Sequence, residues 1–394
     1  MREDVDRSYP LVARMRIAAD GIRGLSLRAV AQSAGVSLGT LSYRVGDKAA
    51  LIAGLIEHEL AERQAVHARW LERVARLDTV SPEVLAELIL AYLDEAAFAR
   101  RDAAMAGCEL LLEAGRDPDS YPGVEAIWDA EQHFWAAMLD GRHPGGRALG
   151  VAIASYCLDE LPFCLAIGTA PDYRLLRAAT TSRIAAGLSG GASGVAIHFD
   201  GFVEELSIAA QRATIPVDLP HGSRKAELAG CIGDLIVEQG IAAITHRLVA
   251  GRAGIPNSSV AHHFRTRDDL LRAGMAALIQ SMRTNFKTDG QLADPAPTEG
   301  MALLRTTHAL TLEAARDPDL VPFAVDIRRR RGESVRTIVA ERIGGAEGLD
   351  GAAAQAAAMA LAGTGIASRS RSGEDAGHMA RMFDILAQTR AACT

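Results

Sequence analysis

The 394-residue sequence predicts an all-α protein built from two tandem copies of one helical unit. Apolar residues recur at spacings of three and four along most of the chain, and no alternating strand pattern persists. The length exceeds what one hydrophobic core usually organises, so more than one domain is expected. The third observation is that the chain repeats itself.

The repeat consists of two blocks. Residues 17–51 align without a gap on residues 236–270, a shift of 219. The block LLLEAGRDPD, which ends at Asp119, returns as LTLEAARDPD, which ends at Asp319, a shift of 200. The second copy is therefore 19 residues shorter between the two blocks. Each copy spans nearly 200 residues, so the chain is a pair of domains and not an array of short repeats.

The repeat also sets the predicted domain boundaries. Each copy begins with a three-helix head and continues as a helical body. The connector between the copies starts rich in Gly and Ser and ends with two prolines, and its middle, from Phe202 to Arg212, is predicted as a short helix. The predicted segments are a head at 8–55, a body at 56–188, a linker at 189–222, a second head at 223–275 and a second body at 276–394.

The first head has the pattern of a helix-turn-helix. Leu11 to Asp20 is predicted as its first helix, and Gly35 ends the short helix LRAVAQSA that follows a turn. Such a turn holds the next helix across the preceding one. Three polar residues are predicted to cap the helices that follow them: Ser26, Ser37 and Asp47.

The second helix of this motif can place its N-terminal side chains in the major groove of DNA. Polar side chains there contact base edges, and basic residues on the flanking helices grip phosphates. In the first head the predicted contacts are Arg28, Ser37, Leu38, Gly39, Thr40, Ser42, Tyr43, Arg44 and Lys48. In the second head they are Arg247, Asn257, Ser258, Ser259, His262, His263, Arg265 and Arg267.

The segment AQSAGVSLGTLSYRVGDKAALI, residues 31–52, resembles the DNA-binding motif of the TetR family of bacterial regulators. The segment AGRAGIPNSSVAHHFRTRDDLL, residues 250–271, looks like the same motif. The first copy departs from the family pattern at Ser42, Arg44 and Val45. The second departs at Pro256, Ser258 and Ala261, with Pro256 expected at the first helical position, where proline is tolerated. The family's tyrosine is missing from both copies, which weakens one expected phosphate contact.

The resemblance implies two TetR-like units, each with a helical body for ligand binding and dimerisation. Segments 150–167, 173–188, 351–367 and 375–390 are expected to pack as a bundle that joins the copies into an intramolecular pseudo-dimer. A single chain would then bind double-stranded operator DNA as a dimer does, and further dimerisation is left open. Because the heads differ, the expected operator is an imperfect palindrome with two distinct half-sites.

The family habit of repression relieved by a small-molecule inducer implies a ligand pocket. All three tryptophans and all six tyrosines lie in the first copy, which is therefore the expected sensor. The predicted wall residues are Tyr92, Phe98, Met105, Trp128, His133 and Trp135. Filling of the core at helical spacing explains each of these side chains equally well.

Several other features are interpreted without a function. The five cysteines show no CxxC spacing, which predicts reduced, buried thiols and no metal site. The run Arg328 to Arg331 is interpreted as a solvated helix face. The sequence has no GxSxG, HExxH or Gly-rich phosphate loop, so no catalytic residue, cofactor or enzymatic activity is predicted. A mixed-charge N-terminus and no apolar run of roughly 20 residues predict a cytoplasmic protein without a membrane span.

One alternative function stays open at this stage. A TetR-like scaffold can serve as a ligand-binding or adaptor protein after DNA binding is lost in one or both heads. The net charge of −7 does not decide between the two, because association with DNA depends on local charge. The basic residues predicted on both heads argue for retained DNA binding.

Overall fold

The computed structural model describes residues 8–190, 194–211, 219–288, 297–343, 348–368 and 377–394. The described residues are helical and include no β-strand, which confirms the predicted all-α class. By their contacts they divide into two compact units, Met1–Glu205 with Arg330–Thr394, and Leu206–Arg329. The domain boundaries predicted above follow the repeat and not these contacts, and they remain predictions.

The α-helices of the described residues are numbered in chain order. They are α1 (Ser8–Asp20), α2 (Leu27–Ser33), α3 (Leu38–Val45), α4 (Lys48–Val74), α5 (Pro82–Asp94), α6 (Arg101–Ala114), α7 (Val124–Leu139), α8 (Gly146–Ile167), α9 (Pro171–Ala185), α10 (Phe199–Gln211), α11 (Arg224–Gln239), α12 (His246–Ala253), α13 (Asn257–His263), α14 (Arg267–Thr288), α15 (Pro297–Ala314), α16 (Val321–Arg329), α17 (Arg336–Ile343), α18 (Gly351–Ser368) and α19 (Gly377–Cys393).

In the head of the first unit, two short helices, α2 and α3, are joined by a tight turn. All three predicted caps are confirmed: Ser26 Oγ accepts from Ala29 N at 3.2 Å, Ser37 Oγ from Thr40 N at 3.0 Å, and Asp47 Oδ1 from Ala50 N at 2.9 Å. Gly35 ends α2 with a φ of +66°, a conformation that glycine adopts without steric cost. Helix α1 packs against α4 and α6 and so attaches the head to the body.

The body of the first unit is organised around α8, which packs against α7, α18 and α19. Helix α9 contacts α8 and α18, so the four helical segments expected to form a bundle do contact one another. Glycines permit the closest crossings, because Gly150 lies against the backbone of Ala136 and Gly363 against that of Ser155. Among the described helices, α8 alone has the length and composition of a membrane span, and it is mostly buried within the unit.

The second unit contains a head with the same local geometry as the first. Thr245 caps α12 with a 3.2 Å hydrogen bond from Leu248 N, as Ser26 caps α2. Gly254 ends α12 with a φ of +64°, which matches Gly35 within a few degrees. Helix α11 packs against α12, α14 and α15. The duplication is therefore visible in backbone conformation as well as in sequence.

The second repeated block also has one conformation in both copies. Helices α6 and α15 end at equivalent alanines, and each is followed by a 3₁₀ turn, Pro118–Ser120 and Pro318–Leu320. In both copies the backbone N–H of the aspartate before the proline donates to a glutamate carbonyl, Glu113 or Glu313, at 2.8 Å. In both copies the helix therefore ends in the same way, shortly before the Asp-Pro pair.

Several predicted element boundaries shift, and two of them lie next to residues outside the described ranges. Helix α10 begins at Phe199, three residues before the predicted start, and its predicted last residue, Arg212, lies outside the described residues. Residues 375–376, predicted to start the last bundle helix, also lie outside them, and α19 begins at Gly377. Both differences fall at helix ends, where sequence patterns specify boundaries least well.

The interpretation of the run from Arg328 to Arg331 as a solvated face is wrong. The Arg328 side chain is fully buried. Arg329 forms an ion pair with Asp326 in its own helix, and Arg331 donates through two nitrogens to the buried Asp159 of α8. Arginine can be buried when a carboxylate pairs with its guanidinium, because the aliphatic part of the side chain packs against apolar groups and the guanidinium can form two parallel hydrogen bonds. The local sequence does not reveal a carboxylate partner that lies far away along the chain.

Candidate DNA-binding heads and ligand cavity

In the first head, α3 is anchored by one buried side chain, Leu41, and presents its other faces to solvent. Tyr43 is 92% exposed and Leu38 is 42% exposed, which is unusual for large side chains on a packed helix. All predicted contacts of this head are exposed: Arg28, Ser37, Leu38, Gly39, Thr40, Ser42, Tyr43, Arg44 and Lys48. The geometry therefore leaves this helix face accessible to a partner.

In the second head, α13 is anchored by the buried Val260, and the buried Phe264 follows the helix. Most predicted contacts here are exposed, namely Arg247, Asn257, Ser258, His262, Arg265 and Arg267, while Ser259 and His263 are half-buried. Pro256 lies at the N-cap, one residue before the first helical position expected for it, and gives no side-chain hydrogen bond. This helix therefore lacks the cap that Ser37 provides in the first head.

Several arginines of the second head are engaged within the protein. The Arg267 guanidinium donates to the carbonyl oxygens of Ile241 and Ile244, both at 3.1 Å, and so fastens the turn before α12. Arg252 forms a two-nitrogen ion pair with Glu238. Arg272 binds three aspartates, Asp268, Asp317 and Asp319. These contacts reduce the positive charge that the second head can offer to phosphates.

The first unit contains a small cavity of about 40 Å³, partly open to solvent, between α4, α5, α6, α7 and α8. Of the six predicted wall residues, Tyr92 and Trp128 line it. Trp135 is buried behind the wall, edge-on to Tyr92 at 5.2 Å between ring centroids. Met105 is buried but does not line the cavity, and Phe98 and His133 are exposed.

The cavity wall also contains three charged residues that were not predicted from the sequence, Arg63, Arg100 and Glu131. Glu131 is buried and accepts hydrogen bonds from Arg63 Nη1 at 2.8 Å, Tyr92 OH at 2.9 Å and Trp135 Nε1 at 3.1 Å. A signal for it existed, because Glu131 and Trp135 lie one helical turn apart in the apolar helix α7.

Burial alone would raise the pKa of Glu131. His67, whose Nε2 lies 3.3 Å from the Glu131 carboxylate, opposes this, as do Arg63 and the Tyr92 hydroxyl. Together they hold the pKa of Glu131 well below its usual range. The carboxylate is therefore ionised and fully hydrogen-bonded inside the wall.

A chain of ion pairs connects the head of the first unit with the cavity. Arg14 of α1 pairs with Glu59 and Glu62 of α4, and its side chain is 9% exposed. Glu62 also contacts Arg100 Nη2 at 3.3 Å, and Arg100 lines the cavity. Although partial burial opposes ionisation, Arg14 and Arg100 lower the pKa of Glu62. One carboxylate therefore joins a head residue to a cavity residue.

The cavity depends on a segment of the first copy that includes α5. Tyr92 and Leu93 of α5, and Ala96 of the π-helical turn Glu95–Ala99, form one side of it. In the second copy, no helix lies between α14 and α15 among the described residues. The sequence of the second copy is 19 residues shorter between the two repeated blocks, and its described residues offer no counterpart of this wall.

Comparison with protein families finds no match, and comparison with curated proteins finds none either. The resemblance to the TetR family therefore rests on the two motifs quoted above. None of the five cysteines forms a disulfide, and Cys108, Cys157 and Cys164 are buried, as predicted, whereas Cys231 and Cys393 are half-buried. Among the described residues, no three His, Cys, Asp or Glu side chains are grouped so that they could hold a metal ion.

Proposed function

We propose that this chain is a sequence-specific DNA-binding regulator of transcription whose two heads read an imperfect palindrome with two non-identical half-sites. Its partner is double-stranded operator DNA, bound by one chain acting as a pseudo-dimer in the cytoplasm. By its resemblance to the TetR family it acts as a repressor, and a small molecule in the cavity of the first unit controls it.

The observation that carries this proposal is that the two heads have similar backbone conformations but present different side chains. Gly21 and Gly240 have φ angles of +74° and +81° at equivalent turns. The helices that follow the second turn present Tyr43 and Arg44 in one head, and His262 and His263 in the other. Two heads with similar backbones but different predicted contact residues are expected to bind half-sites of different sequence.

The local charge of the heads also supports DNA binding. Residues 21–55 contain three arginines and one lysine against one aspartate, a net charge of +3. The equivalent residues 240–274 contain five arginines against two aspartates, also +3. The whole chain carries −7, so positive charge is concentrated in the heads. Such concentration favours association with a polyanion despite the overall acidity.

Selection of bound sequences from a random DNA library tests the proposal, with the mass of the chain in solution measured in parallel. We expect one chain to enrich two unlike half-sites spaced by about one helical turn of DNA. Enrichment of a symmetric palindrome by a dimer of chains would contradict the pseudo-dimer. Failure to enrich any sequence at low salt would contradict DNA binding altogether.

Single substitutions in the two heads are expected to act on different half-sites. Arg44→Ala and His263→Ala each remove a side chain predicted to contact one half-site, and loss of a good base contact costs about 1 to 3 kcal/mol. We expect footprinting to show a loss of about fivefold or more, confined to one half-site for each variant. Arg147→Ala, an exposed arginine of the body, is the control. Equal losses at both half-sites would contradict distinct roles.

A second candidate is supported by the contacts of the second head. Arg252, Arg267 and Arg272 bind protein groups there, and α13 lacks a side-chain cap. These features favour a TetR-like ligand-binding or adaptor protein in which the second head no longer binds DNA. Under this alternative, library selection enriches a single half-site and His263→Ala has no effect on binding.

A further inference from the structure

We infer that the cavity of the first unit binds a small apolar molecule that carries a carboxylate, and that Arg63 and Arg100 recognise this carboxylate. The inference names the ligand class of the proposed regulator and rests on that proposed function for its link to DNA. It is carried by the composition of the wall, by the hydrogen bonds of the three charged residues, and by the position of Glu62 between the cavity and the head.

Most of the cavity wall is apolar. Leucine, isoleucine and alanine side chains from α5, α6, α7 and α8 surround it, together with the indole of Trp128 and the ring of Tyr92. Such a wall favours an aliphatic or aromatic body in the ligand, while the few polar groups fix its orientation. The charge of those polar groups therefore decides which ligands fit.

The cavity wall has more hydrogen-bond donors than acceptors left to bind a ligand. The Glu131 carboxylate already accepts bonds from Arg63, Tyr92 and Trp135 and lies beside His67, so it has little capacity left for a ligand cation. Arg63 Nε is buried and has no hydrogen-bond partner among the described residues. A buried donor without an acceptor is costly, and a ligand oxygen would remove that cost.

Arg100 supplies the second cation. It lies at the junction between the π-helical turn and α6, a type of irregularity frequent at functional sites. Its Nη2 contacts Glu62 at 3.3 Å, a long distance for a charge-assisted hydrogen bond. A planar guanidinium can bind a carboxylate through two parallel bonds. Two guanidiniums in an apolar wall thus suit a singly charged acid, while a ligand cation would be repelled.

Glu62 connects the arginine that would bind the ligand carboxylate with the head. It binds Arg100 on one side and Arg14 of α1 on the other. A ligand carboxylate on Arg100 competes with Glu62, so the ion pairs that attach α1 to α4 must redistribute. Cavity and head also share a scaffold, because α1 packs on α4 and α6, which both contribute cavity residues. Binding of the acid is therefore coupled to the attachment of the head.

Matched pairs of acid and amide test the ligand class: octanoate with octanamide, phenylacetate with phenylacetamide, benzoate with benzamide, and salicylate with salicylamide. Each pair has nearly the same shape and differs in charge. Binding is measured by tryptophan fluorescence, since Trp128 lines the cavity, and by thermal shift. We expect at least one acid to bind ten or more times tighter than its amide. Equal binding within every pair, or no binding of any acid, would overturn the inference.

Substitution of each arginine tests whether Arg63 and Arg100 bind the ligand carboxylate. Arg100→Gln is expected to abolish the preference for the acid and to leave the fold intact, because Glu62 keeps Arg14 as a partner. Arg63→Gln is the second variant, and its fold is checked by circular dichroism because Glu131 then loses one bond. Arg76→Gln, at an exposed position just beyond α4, is the matched control. An unchanged acid preference in Arg100→Gln would overturn its role.

The affinity for selected DNA is measured on the same preparations, with and without the acid. If DNA binds and no acid does, the ligand inference fails and the proposed function stands. If an acid binds and no DNA does, the proposed function fails and the ligand class stands. Glu62→Gln is expected to keep acid binding while the acid's effect on DNA affinity falls at least threefold. An unchanged effect would contradict the route through Glu62.

Discussion

Replacing Gly363 with alanine is expected to lower the stability of the first unit, although glycine-to-alanine changes inside helices usually raise it. Gly363 lies in α18 where this helix crosses α8, and a Cβ atom there would lie 1.9 Å from the carbonyl oxygen of Ser155. Backbone cannot rotate away as a flexible side chain can, so the two helices would have to separate. We expect a net loss of about 2 kcal/mol in the free energy of unfolding.

Gly54→Ala provides the matched control for this prediction. Gly54 lies inside α4 of the same unit, and a Cβ atom there meets no other atom within 4 Å. Because alanine has the higher helix propensity, this change should stabilise by about 0.5 to 1 kcal/mol. Urea unfolding followed by circular dichroism measures both. If Gly363→Ala were stabilised as Gly54→Ala is, the close crossing of α8 and α18 would be wrong.

The features that the sequence predicted well are those with a local cause. Ser26, Ser37 and Asp47 cap helices because a side-chain oxygen three residues before a backbone N–H satisfies it whatever lies elsewhere in the chain. Gly35 and Gly254 end their helices because their φ angles favour glycine. Duplication strengthened these predictions, since both heads carry the same local pattern.

The residues that line the cavity could be predicted only in part from the sequence. Aromatic character correctly predicted Tyr92 and Trp128 as wall residues. It also pointed to Phe98 and His133, which are exposed, because helical spacing does not show which face of a helix packs against another helix. The charged members of the wall come from three segments far apart in sequence. Arg63, Arg100 and Glu131 belong together only after α4, α6 and α7 pack.

The same limit explains the error over the arginine run. A cluster of four basic residues usually faces solvent, because an unpaired buried charge costs several kcal/mol. Arg331 avoids this cost through Asp159, which is 172 residues away in sequence and completely buried in α8. The pairing could not be predicted from the local sequence, because the ion pair joins the two copies of the repeat. Charge runs in duplicated chains thus need to be examined for partners in the other copy.

The contact between Arg331 and Asp159 fixes a segment of the second copy to the core of the first unit. Arg331 Nε donates to Asp159 Oδ2 at 2.8 Å, and Arg331 Nη2 donates to Asp159 Oδ1. The guanidinium also lies 5.9 Å from the centre of the Phe163 ring on the same helix. Bidentate geometry and the exclusion of water make this pair strong, and they make the loss of one partner costly.

Arg331→Met is therefore expected to destabilise the first unit by about 3 kcal/mol, because the buried Asp159 carboxylate loses its bidentate partner while the methionine keeps most of the apolar volume. Arg331→Lys keeps the charge but not the planar fork, so its loss should lie between those of Arg331→Met and the unaltered chain. Arg336→Met, an exposed arginine five residues later, should change stability by no more than about 0.5 kcal/mol. Thermal and urea unfolding of the three variants measure these losses. An Arg331→Met chain as stable as the Arg336→Met chain would show that this ion pair does not hold the second copy to the core.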